Sequence, residues 1–96
     1  MVNVLQDSHI QQALNDLPGW AWHDGHLCRD YHFNDFKQAL SWIVQIGLVA
    51  ETRNHHPVII NVYNKVSLKL RTHQPDGITS LDIDLAKAID LQTNPV

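Results

Sequence analysis

The chain carries one cysteine, four glycines and four prolines in 96 residues, and each scarcity removes a class of protein. Cys28 has no partner within the chain, so no disulfide framework is available and a reducing, cytoplasmic setting is expected. Glycine and proline sit at separate joints rather than in runs, which leaves neither a flexible linker nor an internal repeat. Cations are also short: seven Lys and Arg face ten Asp and Glu, a net charge of −3, so a duplex nucleic acid or an anionic membrane would meet no basic footprint. The most apolar segment, Trp42 to Ala50, is interrupted by Gln45 and Gly47 and is about half the length of a membrane span. Met1 to Gln12 shows neither the basic start nor the apolar stretch of a secretion signal. Hydrophobic residues make up 44% of the chain against 18% charged, enough to bury one core, and a single domain over 1–96 is expected. Histidine is abundant, with seven copies, three of them between Asn54 and His73.

Periodicity orders the chain as α-β-β-α-β-β-α. Asp7 or Ser8 is placed to cap a first helix whose Ile10, Ala13, Leu14 and Leu17 share one face, ended by Pro18-Gly19. Trp20 to His23 and His26 to Phe33 flank Asp24-Gly25, a dipeptide that tolerates the positive φ of a tight hairpin. Asn34 or Asp35 then caps a helix with Phe36, Ala39, Leu40, Ile43, Ile46, Gly47 and Ala50 at three- and four-residue intervals. It must end near Arg53 or Asn54, because Pro57 pushes His56 toward extended backbone. Val58 to Tyr63 is rich in β-branched residues, a turn follows at Asn64-Lys65, and Val66, Leu68, Leu70 and Thr72 alternate with Ser67, Lys69, Arg71 and His73. Gln74 to Gly77 reads as a turn, and Thr79 with Asp82 three residues later reads as a capping box opening a helix to about Leu91. The expected architecture is α+β in two layers, a four-stranded antiparallel sheet with three helices on one face. The uncovered face and edges predict a homo-oligomer, a dimer or tetramer.

Chemistry concentrates at the joint between the second helix and the third strand. If the last turn persists, Glu51 and His55 stack four residues apart, a carboxylate beside an imidazole. His56 points away from His55 in extended chain, and Pro57 sets how far the two rings diverge. His73, eighteen residues beyond His55, falls near the end of a strand that returns past this joint if the hairpin turns at Asn64-Lys65. Imidazoles around one pocket can protonate a leaving group and remove a proton elsewhere, which suits an elimination of water. Ser41, Ser67 and Ser80 lack a glycine-framed elbow, Cys28 has no base near it in sequence, and no glycine-rich phosphate loop occurs.

The spaced set Glu51-x3-His55-His56-Pro57-x5-Tyr63-x9-His73-x8-Asp82 resembles the signature of the pterin-4a-carbinolamine dehydratases. Gly19-Trp20, Tyr31-His32-Phe33 leading into Phe36, and the run Asn61 to Val66 extend the resemblance over nearly the whole chain. It implies an α-β-β-α-β-β-α fold, a tetrameric assembly, and a lyase free of cofactor and metal that removes water from 4a-hydroxytetrahydropterin to give quinonoid dihydropterin, a step in regenerating the pterin of aromatic amino acid hydroxylases. His55, His56 and His73 match the active-site histidines. His55 and His73 would serve as general acid and base, and His56 would orient the ring. Glu51 and Asp82 match acidic positions, Pro57 shapes the joint, and Trp20 matches a tryptophan that could wall the pterin or simply anchor the hairpin. Leu81 stands where animal members carry an arginine, and Gln74-Pro75-Asp76-Gly77 also departs from their turn. Some members act as dimerization cofactors for transcription factors, so a protein-binding module is the alternative. A zinc site from Glu51, His55, His56 and His73 is a third reading, disfavoured because adjacent histidines seldom reach one tetrahedral ion.

Overall fold

The computed structural model describes residues 2–93. Helix α1 spans Asp7–Leu14, strands β1 Ala21–His23 and β2 His26–His32 form a hairpin, and α2 spans Phe36–Thr52. Strands β3 Val58–Val62 and β4 Lys65–Leu70 follow, then a short ribbon of β5 Thr72–His73 and β6 Asp76–Gly77, and finally α3 Ser80–Gln92. The main sheet is antiparallel in the order β1-β2-β4-β3. Its inward positions, Leu27 and Tyr31 on β2 and Val66, Leu68 and Leu70 on β4, are buried against Trp42, Ile46, Leu85 and Ile89 of the helices. The outward positions Asp30, His32, Val58, Ile60, Val62, Lys65 and Lys69 are exposed. The two-layer α+β arrangement is the one expected.

Local chemistry explains most boundaries. Asp24 (φ 50°) and Gly25 (φ 76°) both take positive φ, the backbone of a two-residue turn matched to strand twist. Asp35 caps α2 by accepting from the Gln38 N–H at 2.8 Å. Four expectations need correction. Helix α1 starts after Gln6, which makes no side-chain cap, and ends at Leu14, before Leu17 and Pro18. The β3–β4 turn lies at Tyr63-Asn64, one residue early, because Val62 pairs with Lys65 and Tyr63 takes φ 51°. The strand read from Val66 to His73 breaks at Arg71, so Thr72 and His73 belong to the ribbon, paired with Gly77 and Asp76.

The fourth correction concerns the face of α2. Ala39, Trp42, Ile46 and Ala50 are buried, whereas Phe36 and Leu40 are 46% and 47% exposed and continue into exposed Val44 and Leu48. The helix carries two apolar stripes, and the three- and four-residue spacing fits both. Trp42, absent from the expected face, lies inside and donates its indole N–H to Thr93 Oγ1 at 2.9 Å.

Candidate active site

Helix α2 ends in a closure that aims the next residues. Asn54 takes φ 50°, its N–H bonds to the Glu51 carbonyl at 3.0 Å, and the His55 N–H bonds to the Ala50 carbonyl at 3.1 Å. This pair of bonds around a left-handed residue satisfies the last helical carbonyls and reverses the chain, a conformation open to asparagine but costly for most side chains. Helical spacing therefore stops before His55. The stacking of Glu51 with His55 does not form, because the turn it required is replaced by this closure.

Each histidine takes its own carboxylate. His55 Nε2 contacts Asp82 Oδ1 at 2.6 Å, with the imidazole 12% exposed and the carboxylate fully buried. His56 Nε2 contacts Glu51 Oε1 at the same 2.6 Å, but those side chains are 57% and 74% exposed. Half-buried Pro57 leads directly into β3. Asp82 forms the expected capping box with Thr79, its Oδ2 accepting the Thr79 N–H at 2.9 Å. The same Oδ2 accepts the Thr72 hydroxyl at 2.8 Å, so one carboxylate starts α3, holds the ribbon and orients His55.

His73 follows Thr72 on β5 and is exposed where Thr72 is buried, as strand alternation requires. The ribbon is held by Arg71, which donates Nε–H to Asp76 Oδ1 at 2.9 Å and Nη1–H to the Gly25 carbonyl at 2.6 Å. The guanidinium, by hydrogen bond and then by charge, holds the Asp76 carboxyl below the usual carboxylate range.

Trp20 makes none of these contacts. Its ring is buried, its indole N–H donates to Asp90 Oδ2 at 2.8 Å, and it meets Tyr31 edge-on with ring centroids 6.4 Å apart. Asp90 lies eight residues after Asp82 on α3, about 12 Å along a helix. Tyr31 donates its hydroxyl to Asp90 Oδ1 at 2.8 Å, and Arg29 donates to Oδ2 at 3.2 Å. Burial first, then the bond to Asp90, pushes the Tyr31 phenol far above its ordinary value. The Arg29 guanidinium also lies against Gly19 (φ 88°), where an added Cβ would come within 2.8 Å of it.

Hollows of about 600, 340 and 280 Å³ are each lined in part by the C-terminal part of α3 or Thr93 just after it, the last two together with residues of α2, and none of these three has a histidine in its wall. Of the four residues weighed as a zinc set, Glu51 pairs with His56 while His55 turns to Asp82, and among the described residues no group of three or more His, Cys, Asp or Glu comes together to hold a metal ion. Burial pushes the Cys28 thiol up, and it points at the His23 and His26 carbonyls, 3.9 and 3.7 Å away. A thiol so placed is a weak donor, not an activated nucleophile.

Sequence reasoning missed Asn54 and Thr72. Asparagine just before the paired histidines was a signal for a left-handed helix end. Thr72 carried no local signal, because its partners lie seven and ten residues away.

A two-layer α+β domain with carboxylate-held imidazoles at a helix-to-sheet joint is equipped for acid/base chemistry. Comparison with known proteins narrows that class. The chain matches the family described as pterin 4 alpha carbinolamine dehydratase over residues 3–92. A relative from Bradyrhizobium sp. (strain ORS 278), provisionally named a pterin-4-alpha-carbinolamine dehydratase, is 44% identical over 92 residues, covering 94% of this chain and 92% of its own. One from Synechococcus sp. (strain WH7803), with the same provisional name, is 40% identical over 90 residues, covering 94% and 97%. The crystal structure of a transcriptional coactivator/pterin dehydratase from Brucella melitensis superposes with a TM-score of 0.91 at 36% identity, over 96% of this chain and all of that one. The chain belongs to the pterin 4 alpha carbinolamine dehydratase family.

Proposed function

We propose that this protein is a pterin hydro-lyase: it removes water from a 4a-hydroxytetrahydropterin and leaves the quinonoid dihydropterin, in the recycling of a pterin cofactor in the cytoplasm. The observation that carries the reading is the 2.6 Å contact between His55 Nε2 and fully buried Asp82, in a chain of this family. Donating Nε2–H to Asp82 leaves the neutral imidazole with its lone pair on Nδ1, a single defined atom for proton exchange. A carboxylate that fixes the tautomer and orientation of a catalytic imidazole plays the same part in hydrolytic triads.

The reaction is redox-neutral and needs two proton transfers. One imidazolium protonates the 4a-hydroxyl, the C4a–O bond breaks, and water leaves. A neutral imidazole takes the N5 proton, and the N5–H electron pair becomes the C4a=N5 double bond. His55 and His73 are assigned these two roles, while His56, held by Glu51 and turned by Pro57, orients the ring. Trp20 has no part in this scheme, since Asp90 holds it elsewhere.

Stopped-flow decay of a 4a-hydroxypterin, with and without the protein and with EDTA as a control, tests the reading. Acceleration that survives EDTA is expected, and no acceleration by the folded protein would end it. His55→Ala and His73→Ala should each slow dehydration by about tenfold or more, and unchanged rates in both would remove the acid/base assignment.

The same reading includes a homo-oligomer, dimer or tetramer. The exposed stripe Leu40, Val44 and Leu48 on α2, and Val58, Ile60 and Val62 on edge strand β3, are the surfaces that support it. A monomer in sedimentation at micromolar concentration would refute it. These surfaces also support a second reading, a protein-binding module, in keeping with the coactivator half of the Brucella protein's description. Absent turnover with an intact fold and a stable partner in pull-down would favour that module.

A further inference from the structure

We infer that Thr72 is a positioning residue for His55, acting through Asp82 by a hydrogen-bond chain that can run in only one direction. This inference deepens the dehydratase reading and rests on it for its kinetic consequence. Four contacts define the chain: the Leu81 N–H reaches Thr79 Oγ1 at 3.2 Å, Thr79 Oγ1 and Thr72 Oγ1 are 2.7 Å apart, Thr72 Oγ1 and Asp82 Oδ2 are 2.8 Å apart, and Asp82 Oδ1 meets His55 Nε2 at 2.6 Å. Thr72 is 4% exposed, and Thr79 and Asp82 are fully buried.

A hydroxyl has one proton to give. If Thr72 gave its proton to Thr79, two oxygens with no proton between them, Thr72 Oγ1 and Asp82 Oδ2, would face each other in a buried site, an unfavourable contact. Thr72 therefore donates to Asp82, Thr79 donates to Thr72, and the Leu81 N–H feeds Thr79. Asp82 Oδ2 then holds two donated protons, from Thr72 and from the Thr79 N–H. The carboxylate plane is pinned at one oxygen, and the other is aimed at Nε2. The His55 ring inherits that aim, with Nε2 as its protonated nitrogen and Nδ1 as its working one.

Thr72 separates this effect from the helix cap. Asp82 serves both, so replacing it disturbs α3 and His55 together, whereas the Thr79 N–H to Asp82 bond remains when only the Thr72 hydroxyl is removed. Thr72 also stands next to His73 on β5, so one strand supplies the support of one proposed catalytic imidazole and the other imidazole itself.

The test compares Thr72→Val, which keeps the branched shape and loses the hydroxyl, with Thr72→Ser, which keeps the hydroxyl and loses the methyl. The first readout is the ¹⁵N NMR signature of the His55 tautomer in the free protein. Wild type and Thr72→Ser should show Nε2–H, and Thr72→Val should show a raised share of Nδ1–H. The second is dehydration: kcat should fall about ten- to a hundredfold in Thr72→Val with KM little changed, and Thr72→Ser should restore most of it. A folded Thr72→Val with the wild-type tautomer and kcat would overturn the inference. Should Thr72→Val not fold, a folded Thr72→Ser that has lost the Nε2–H tautomer would overturn it just as well. An NMR shift without any turnover in wild type would instead leave the positioning intact and sink the dehydratase reading.

Discussion

His55 and His56 are neighbours in sequence, and each meets a carboxylate at 2.6 Å, yet the two pairs are physically different devices. Asp82 is sealed, accepts from three residues and sits in the first turn of α3. Glu51 is three-quarters exposed and sits near the end of α2. Distance alone makes the pairs equal; desolvation and the number of partners set them apart. A buried pair whose groups are fully bonded holds one geometry, because each loose alternative leaves a polar atom unpaired away from water. An exposed pair exchanges its partner for water at little cost and is screened by salt. The first arrangement suits a group that must present one atom, and the second suits a ring that adjusts to what it contacts.

The sharpest way to break the contrast is Asp82→Ala, which removes the acceptor of His55, Thr72 and the Thr79 N–H together. It should lower stability by about 3–5 kcal/mol, read as a shift in the urea midpoint. A loss no larger than that of Glu51→Ala would erase the distinction. Next comes the turn that divides the two histidines: Asn54→Val forces a β-branched side chain into φ 50° and should cost about 1–3 kcal/mol, with Asn54→Gly near wild type in the same measurement.

A third test uses the other carboxylate of α3 as a control. Tyr31→Phe removes the hydroxyl bonded to Asp90 and should cost about 1 kcal/mol at neutral pH without changing the dehydration rate. The phenol's ordinary value is 10.0 and folding raises it, so above about pH 10 the unfolded chain releases a proton that the folded chain keeps. Stability contributed by this group is complete below that pH and is lost as pH rises, and unfolding midpoints between pH 8 and 11 should fall less steeply in Tyr31→Phe. The smallest effect belongs to Glu51→Gln, less than about 1 kcal/mol and shrinking further in 1 M salt.

Much of the fold was legible because its signals are local. The Asp24-Gly25 turn, the Asp35 cap and the Thr79–Asp82 capping box each rest on residues within four positions of one another. The candidate histidines were legible as a spaced pattern, but the partner of each was not. Pairing Glu51 with His55 presumes that the helix continues, and a left-handed Asn54 ends it; the partner His55 does take lies 27 residues away. The anchoring of Trp20 was hidden for a similar reason, since the acceptor of its indole N–H is 70 residues distant. The apolar face of α2 was misjudged because two stripes share one period, and only the packed sheet decides which turns inward.

The closure at the end of α2 makes the length of the joint between Ala50 and Pro57 a functional quantity. Adding or deleting one residue there would not merely nudge two rings. Deleting one residue before His55 would bring His56 to the position that faces Asp82 and Pro57 to the one that faces Glu51, so a change of count alone would replace the enclosed imidazole and leave the open carboxylate without one.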